Sequence, residues 1–242
     1  MLTKAQAKYI QNLGHKKLRE DENLFIAEGP KLVLELLQES SVALHSIYAI
    51  ESFATSHTHI KDIIEISQDE LNRISFLTTP NQVIALFNKP RYPKVASMRG
   101  RVSLMLDTIQ DPGNLGSIVR TADWFGINTI ICSKDTADIF NPKVVQATMG
   151  SIARVQMMYE QLDTFMQEND LPPLYVTALK GKSIQEIGPL TEGIILIGNE
   201  SKGVSEELLN HPHTLVTIPK KGKAESLNAA IATGIVLSHL AR

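Results

Sequence analysis

The sequence predicts an α/β protein in two parts, a C-terminal α/β domain on a mostly parallel sheet preceded by a small N-terminal α/β domain. Three observations carry that expectation. The chain has 242 residues, 43% of them hydrophobic and 21% charged, which suffices for a sizeable core. From residue 102 onward, short apolar runs rich in β-branched residues alternate with helical patterns, as strands covered on both faces do. Between these parts, Asn88-Lys89-Pro90-Arg91-Tyr92-Pro93-Lys94 sets two prolines in a polar, basic stretch unsuited to a central strand. The boundary is expected near residues 90–100, giving domains 1–95 and 101–242.

In order along the first domain, residues 4–19 read as one basic helix and 24–27 as a short strand. Residues 31–38 read as a helix whose Leu32, Val33, Leu36 and Leu37 form an apolar stripe, with Pro30 fitting its first turn. Residues 42–50, 63–66 and 83–87 read as strands, with a helix over 68–74. In the second domain, strands are expected over 102–106, 129–132, 155–158, 175–178, 194–197 and 214–218. Helices are expected after Gly113, Asn141, Glu160, Val204 and Glu225. Ligands of such sheets bind where loops leave the carboxyl ends of strands, so the loops after residues 106, 178, 197 and 218 are where a site is sought.

Charge and cysteine usage narrow the function. The lone Cys132 lies in the run Thr129-Ile130-Ile131-Cys132, so no disulfide framework exists within the chain, and a buried, reduced thiol is expected. No apolar run is long enough to cross a membrane, and the N-terminal residues lack the apolar block of a secretory signal, so a cytoplasmic protein without a membrane is expected. Net charge is only −2, yet residues 1–19 and 89–101 carry five basic residues each and no acid. Lys220, Lys221 and Lys223 form a third cluster, so 13 of the 24 basic residues lie in three short segments. Each run taken alone reads as a solvated face; the three together make a local positive field that suits a phosphate-bearing partner.

Three loops hold chemistry-bearing residues. In Asp111-Pro112-Gly113-Asn114-Leu115-Gly116-Ser117-Ile118-Val119-Arg120, a turn opens a helix whose buried stripe is Leu115, Ile118, Val119 and Ala122. Arg120 falls off that stripe with Asp123 and Trp124; it reads either as a surface arginine beside an asparagine cap or as a guanidinium clamp for phosphate. In Gly198-Asn199-Glu200-Ser201-Lys202-Gly203, a glycine at a strand end lets a ligand approach the backbone, and Glu200 reads as a partner for Lys202 or Arg120. In Ile218-Pro219-Lys220-Lys221-Gly222-Lys223-Ala224-Glu225-Ser226-Leu227-Asn228, an irregular pocket precedes a helix of small residues suited to a homodimer seam or a tight internal contact. Phosphate-binding and dinucleotide-binding glycine signatures and the serine-hydrolase elbow are absent. His57 and His59, or His211 and His213, offer two metal ligands without a third nearby in sequence, so no metal is expected.

Together, Asn114-x-Gly116-x-x-x-Arg120, Gly198-Asn199-Glu200-x-x-Gly203 and Ile218-Pro219-x-x-Gly222-x-x-x-Ser226-Leu227-Asn228 resemble the SpoU (TrmH) family of RNA 2'-O-ribose methyltransferases of the SPOUT superfamily, over residues 102–242. Phe25-Ile26-Ala27-Glu28-Gly29-Pro30 is similar to that family's RNA substrate-binding domain. The resemblance implies a C-terminal trefoil-knot domain, a homodimer with active sites at its interface, and S-adenosylmethionine held near Thr177, Ala178, Gly198, Ile218 and Leu227. It implies methyl transfer to a ribose 2'-hydroxyl of ribosomal or transfer RNA. Arg120 would hold the phosphate beside the target ribose, and Asn114, Glu200, Ser226 and Asn228 would fix the pocket. RNA contacts are expected from Lys16, Lys17, Arg19 and Arg91. Ser201 and Lys220 depart from the family's usual residues without replacing a functional position. The competing expectations are a non-catalytic RNA-binding or assembly factor and an unrelated small-molecule enzyme.

Overall fold

The computed structural model describes residues 2–92 and 97–241, so Lys94 and part of the expected interdomain boundary lie outside the described residues. The chain forms two compact units. One comprises residues 1–92 together with 138–153, and the other residues 93–137 together with 154–242.

In the first unit, α1 (Lys4–Asn12) and α2 (Lys16–Asp21) replace the single expected helix. The break is tertiary in origin. A Cβ at Gly14 would collide with the Phe76 ring, and the buried Arg19 guanidinium donates to the carbonyls of Leu13 (2.8 Å) and Gly14 (2.7 Å). These carbonyls follow the end of α1, where an uninterrupted helix would have satisfied them internally. The unit continues as β1 (Leu24–Glu28), α3 (Pro30–Leu37), β2 (Leu44–Ala49), α4 (Glu51–Ser56), β3 (Ile63–Glu65), α5 (Gln68–Ile74) and β4 (Val83–Asn88). Only α4, short and weakly patterned, has no counterpart among the sequence expectations. The sheet order is β1-β4-β2-β3, antiparallel except between β2 and β3. Ile10, Leu13, Leu24, Leu71 and Leu86 close its core.

In the second unit, β5 (Val102–Leu106), α6 (Pro112–Trp124) and β6 (Thr129–Ser133) come first. The chain then enters the first unit as α7 (Pro142–Thr148) and a 3-10 turn, Ser151–Ala153. There Phe140 packs on Phe25 with ring centroids 5.6 Å apart, and Asp138 pairs with Arg19 at 2.6 Å. It returns as β7 (Gln156–Glu160), α8 (Leu162–Glu168), β8 (Leu174–Ser183), α9 (Ile184–Ile187), β9 (Gly193–Ile197), α10 (Glu206–Leu209), β10 (Thr214–Thr217) and α11 (Ala229–Leu240).

Every pairing in the order β10-β8-β9-β5-β6-β7 is parallel. Leu104, Leu106, Ile130, Ile195 and Leu196 are buried, as is Cys132, whose thiol burial pushes well above its ordinary pKa. Because β10, β8, β9 and β5 are neighbours running the same way, the loops at their carboxyl ends meet at one edge. No helix among the described residues is long and apolar enough to cross a membrane.

Candidate active site

The loop after β5 begins at Asp107. Its buried carboxylate accepts from Ser205 N (2.8 Å) and the Thr108 hydroxyl (2.9 Å), tying β5 to the loop that follows β9. Asp111, rather than Asn114, caps α6 by accepting from Asn114 N at 2.8 Å, so the Asn114 side chain is not spent on the cap. The loop after β9 doubles back on itself. Asn199 and Gly203 exchange backbone hydrogen bonds of 2.9 Å, and Asn199 Oδ1 accepts from Ser201 N and Lys202 N. A side chain at Gly198 would lie inside the backbone of Gly203 and Val204, so only glycine permits this return. Asn199 Nδ2 donates to Thr108 O at 2.9 Å.

Three loops then meet on one carboxylate. Glu200 Oε1 accepts from Asn114 Nδ2, from Asn228 Nδ2 (3.1 Å) and from Ala229 N (3.1 Å), while Asn228 Nδ2 also donates to Asn114 Oδ1 at 2.8 Å. Asn228 Oδ1 caps α11 by accepting from Ala230 N and Ile231 N. The carboxylate thus sits at the amino end of α11, where the helix dipole favours negative charge. Neither Lys202 nor Arg120, the partners expected for Glu200, pairs with it.

Beside this node lies a cavity of about 770 Å³ lined by Thr177, Ala178, Gly198, Ile218, Ser226 and Leu227, among others. Its far wall comes from an irregularity in β8. Val176 pairs with Leu215, but the next β10 residue, Val216, pairs with Lys182, so residues 177–181 swing out with no partners on β10. Gly181 closes the excursion against the Leu215 and Val216 backbone, at a distance no Cβ would tolerate. The strand expected to stop at 178 therefore continues to 183.

All five residues expected to hold the cofactor line this one cavity, and Asn114, Glu200 and Asn228 are joined at its edge. The cavity suits S-adenosylmethionine by three observations. Its volume falls in the usual range for cofactor-sized ligands. Residues 218–227 make no hydrogen bond to any described residue, leaving their backbone donors and acceptors free for a purine edge. Leu179 and Leu227 are 72% and 45% exposed beside it, apolar surface that a flat ring would cover.

The remaining predicted residues lie apart. Arg120 is exposed on α6, does not line the cavity and forms no hydrogen bond or ion pair with a described residue. On the same helix, Asp123 is tied to Arg154 at 2.8 Å, and Trp124 is 85% exposed. Arg19, expected to face RNA, is a correction: at 2% exposure it is the buried partner of Asp138 and of two carbonyls. Lys16, Lys17 and Arg91 are exposed, Lys16 near Glu20 at 3.7 Å. Of the linker bases, Lys89 lies over the Phe140 ring at 4.7 Å and Arg99 pairs with Asp170.

Of the histidines, His211 pairs with Asp163 at 2.8 Å. No group of three potential metal-binding side chains converges among the described residues. Sequence reasoning passed over Asp107 and Asn199. The signal was available, since an acid ending a buried strand and an Asn after a strand-end Gly are both positions that tie loops together.

Residues 101–238 match the SpoU rRNA methylase family, and residues 4–85 match the MRM3-like substrate binding domain. A 23S rRNA guanosine 2'-O-methyltransferase of Bacillus subtilis, RlmP, is 33% identical over 95% of this chain and 93% of its own length. A TrmH-family protein of Porphyromonas gingivalis superposes with a TM-score of 0.82 at 35% identity, covering 98% of this chain and 97% of its own. An rRNA methyltransferase of Sinorhizobium meliloti, solved with S-adenosylmethionine bound, gives a TM-score of 0.82 at 31% identity over 98% and 94% of the two chains. With two of the three motifs lining one cavity, Asn114 of the other bonded at its edge, and both parts of the chain matched, the protein belongs to the SpoU rRNA methylase family.

Proposed function

We propose that this protein methylates a ribose 2'-hydroxyl of ribosomal RNA, with the cavity at the Asn114–Glu200–Asn228 node as its methyl-donor site. The carrying observation is that node. One carboxylate oxygen on the loop after β9 gathers donors from two other loops that are distant from it in sequence, fixing the cavity edge before a ligand enters. S-adenosylmethionine supplies an electrophilic methyl on a sulfonium and needs little further activation. The protein's work is alignment of the ribose oxygen and stabilisation of the charge that develops on it. Ser226, on the unpaired segment, lines the cavity, and Gly198 lets the backbone approach the ligand closely.

Arg120 holds the phosphate beside the target ribose with its guanidinium fork and stabilises the forming alkoxide, while a phosphate oxygen or water removes the proton. Because Arg120 stands off the cavity of its own chain, this role calls for a homodimer in which each copy lends Arg120 to the other's site. The exposed Trp124 on α6 and Ile231 on α11, two helices packed together, support such a face. The trefoil knot that the family resemblance implies is part of this reading. Residues 1–95 bind RNA through Lys16, Lys17 and Arg91, residues 101–242 carry the transfer, and the cytoplasm is where its ribosomal substrate is met.

The test is transfer of labelled methyl from S-adenosylmethionine to unmodified 23S rRNA transcribed in vitro, followed by mapping of ribose methylation. Arg120→Lys should lower the rate by about 100-fold or more while leaving cofactor affinity, measured by calorimetry, unchanged. Near-normal turnover in that variant would remove Arg120 from the mechanism.

A further inference from the structure

We infer that Lys180, Lys202, Lys220 and Lys221, which rim the methyl-donor cavity, form a phosphate-binding collar for the RNA strand entering the catalytic unit. The inference rests on the proposed methylation reading and extends it to a second RNA contact, separate from Lys16, Lys17 and Arg91. The four lysines reach the cavity from three different loops: the β8 excursion, the turn after β9 and the unpaired segment after β10. All four are exposed, and none forms an ion pair with a described residue. Two acids line the cavity with them: Glu200, which is engaged by Asn114, Asn228 and Ala229 N at the node, and Glu225, exposed on the same segment as Lys220 and Lys221, so the four lysines outnumber the carboxylates two to one. In a chain of net charge −2, four cations with no ion pair among the described residues, set against two carboxylates around one opening, make a local positive field that joins Lys220 and Lys221 to two lysines from other loops.

The charge of the two substrates decides which one the collar serves. S-adenosylmethionine carries a sulfonium and an ammonium against one carboxylate, so a ring of ammonium groups repels it overall. An RNA strand brings one negative charge per nucleotide and gains by releasing its condensed counterions to solvent when such a ring neutralises its phosphates. Lysine also suits the task sterically, since its flexible stem lets a point charge follow a phosphate without fixing base identity.

The experiment compares wild type with a variant in which all four lysines are changed to Gln and a second in which all four are changed to Arg. Binding of labelled 23S rRNA transcript is measured by filter retention at several salt concentrations, and S-adenosylmethionine binding is measured by calorimetry without RNA. The Gln variant should bind RNA at least about 10-fold more weakly near 0.1 M salt. Its slope of log affinity against log salt should be shallower by about 2 to 3, since each phosphate of a single strand that is no longer neutralised removes about 0.7 from the slope. Its affinity for S-adenosylmethionine should be equal to or slightly above wild type. The Arg variant should retain RNA affinity, showing that charge and not folding is at issue.

An unchanged salt slope in the Gln variant would overturn the inference, as would a fall in S-adenosylmethionine affinity, which would assign the lysines to the cofactor carboxylate. The two readings fail separately. Wild type that binds the transcript with collar-dependent salt sensitivity but methylates nothing would sink the proposed reaction alone. Normal methylation and binding by the Gln variant would sink the collar alone.

Discussion

Glu28 shows how a single buried group acquires a pH signature. It ends β1 at 4% exposure and accepts from the Ser75 hydroxyl at 2.6 Å and from Phe76 N at 2.8 Å. Burial raises its carboxyl above the usual glutamate value, outweighing the two hydrogen bonds that act the other way. A carboxyl raised on folding holds its proton more tightly in the folded state. Its contribution is therefore whole below the unfolded glutamate range and is lost as pH rises through the folded value. Thermal unfolding of wild type and Glu28→Gln between about pH 4 and pH 7 should diverge, the Gln variant gaining on wild type as pH increases. A difference that stays constant across that window would show that Glu28 does not carry the effect.

Among elements, the α2 ion pair and the β9 loop make contrasting demands. Arg19 satisfies the carbonyls that follow α1 and anchors Asp138 at the start of the segment carrying α7. Asp138→Asn leaves a buried guanidinium without its counter-charge and should cost about 3 kcal/mol in urea unfolding followed by circular dichroism. The exposed Lys17→Glu, two positions away, should change stability by less than about 0.5 kcal/mol. Comparable losses in both would mean that the pair is not what holds the segment. At the β9 loop, Gly198→Ala sets a methyl group against backbone that has no flexible side chain to move aside. Cofactor affinity should drop by at least about 10-fold, as expected when a well-packed contact of roughly 1–2 kcal/mol is removed, while circular dichroism of the variant at about 25 °C stays that of the folded protein. Retained affinity would show that the return of the loop is not required for binding.

For the whole molecule, the decisive question is whether one chain builds a complete site. Arg120→Lys lacks the forked cation but keeps the cavity, and Gly198→Ala has the reverse defect, so in the proposed homodimer each variant alone should be nearly inactive when S-adenosylmethionine is supplied well below the weakened affinity. If Arg120 acts across the dimer, co-expressed and doubly tagged mixed dimers contain one intact site of two and should recover roughly half the wild-type rate per dimer. If Arg120 acts within its own chain, mixed dimers stay inactive, because no site then combines an intact cavity with an intact arginine.

Much of this protein could be read along the chain. The parallel strands announced themselves as apolar β-branched runs because each is buried on both faces, and the three motif loops were visible because Gly198, Asn114 and Asn228 sit at strand and helix ends, where residue type is narrowly restricted. The convergence of those loops also followed, since parallel neighbours put their carboxyl ends at one edge.

Other features depended on contacts between residues far apart in sequence, which local periodicity does not record. Arg19 looked like a surface base until Asp138 and two freed carbonyls enclosed it. Residues 138–153 looked like part of the catalytic sheet's own connections until Phe25 and Arg19 drew them into the first unit. The β8 excursion had no local signal beyond a glycine, because its cause is the backbone of β10 lying where a side chain would otherwise stand. Pattern along the chain therefore determined which elements form and which loops carry chemistry, since burial and capping act over a few residues. Only tertiary packing decided which charges are spent inside the fold and which remain for a ligand, since that depends on what each side chain meets once the chain has closed.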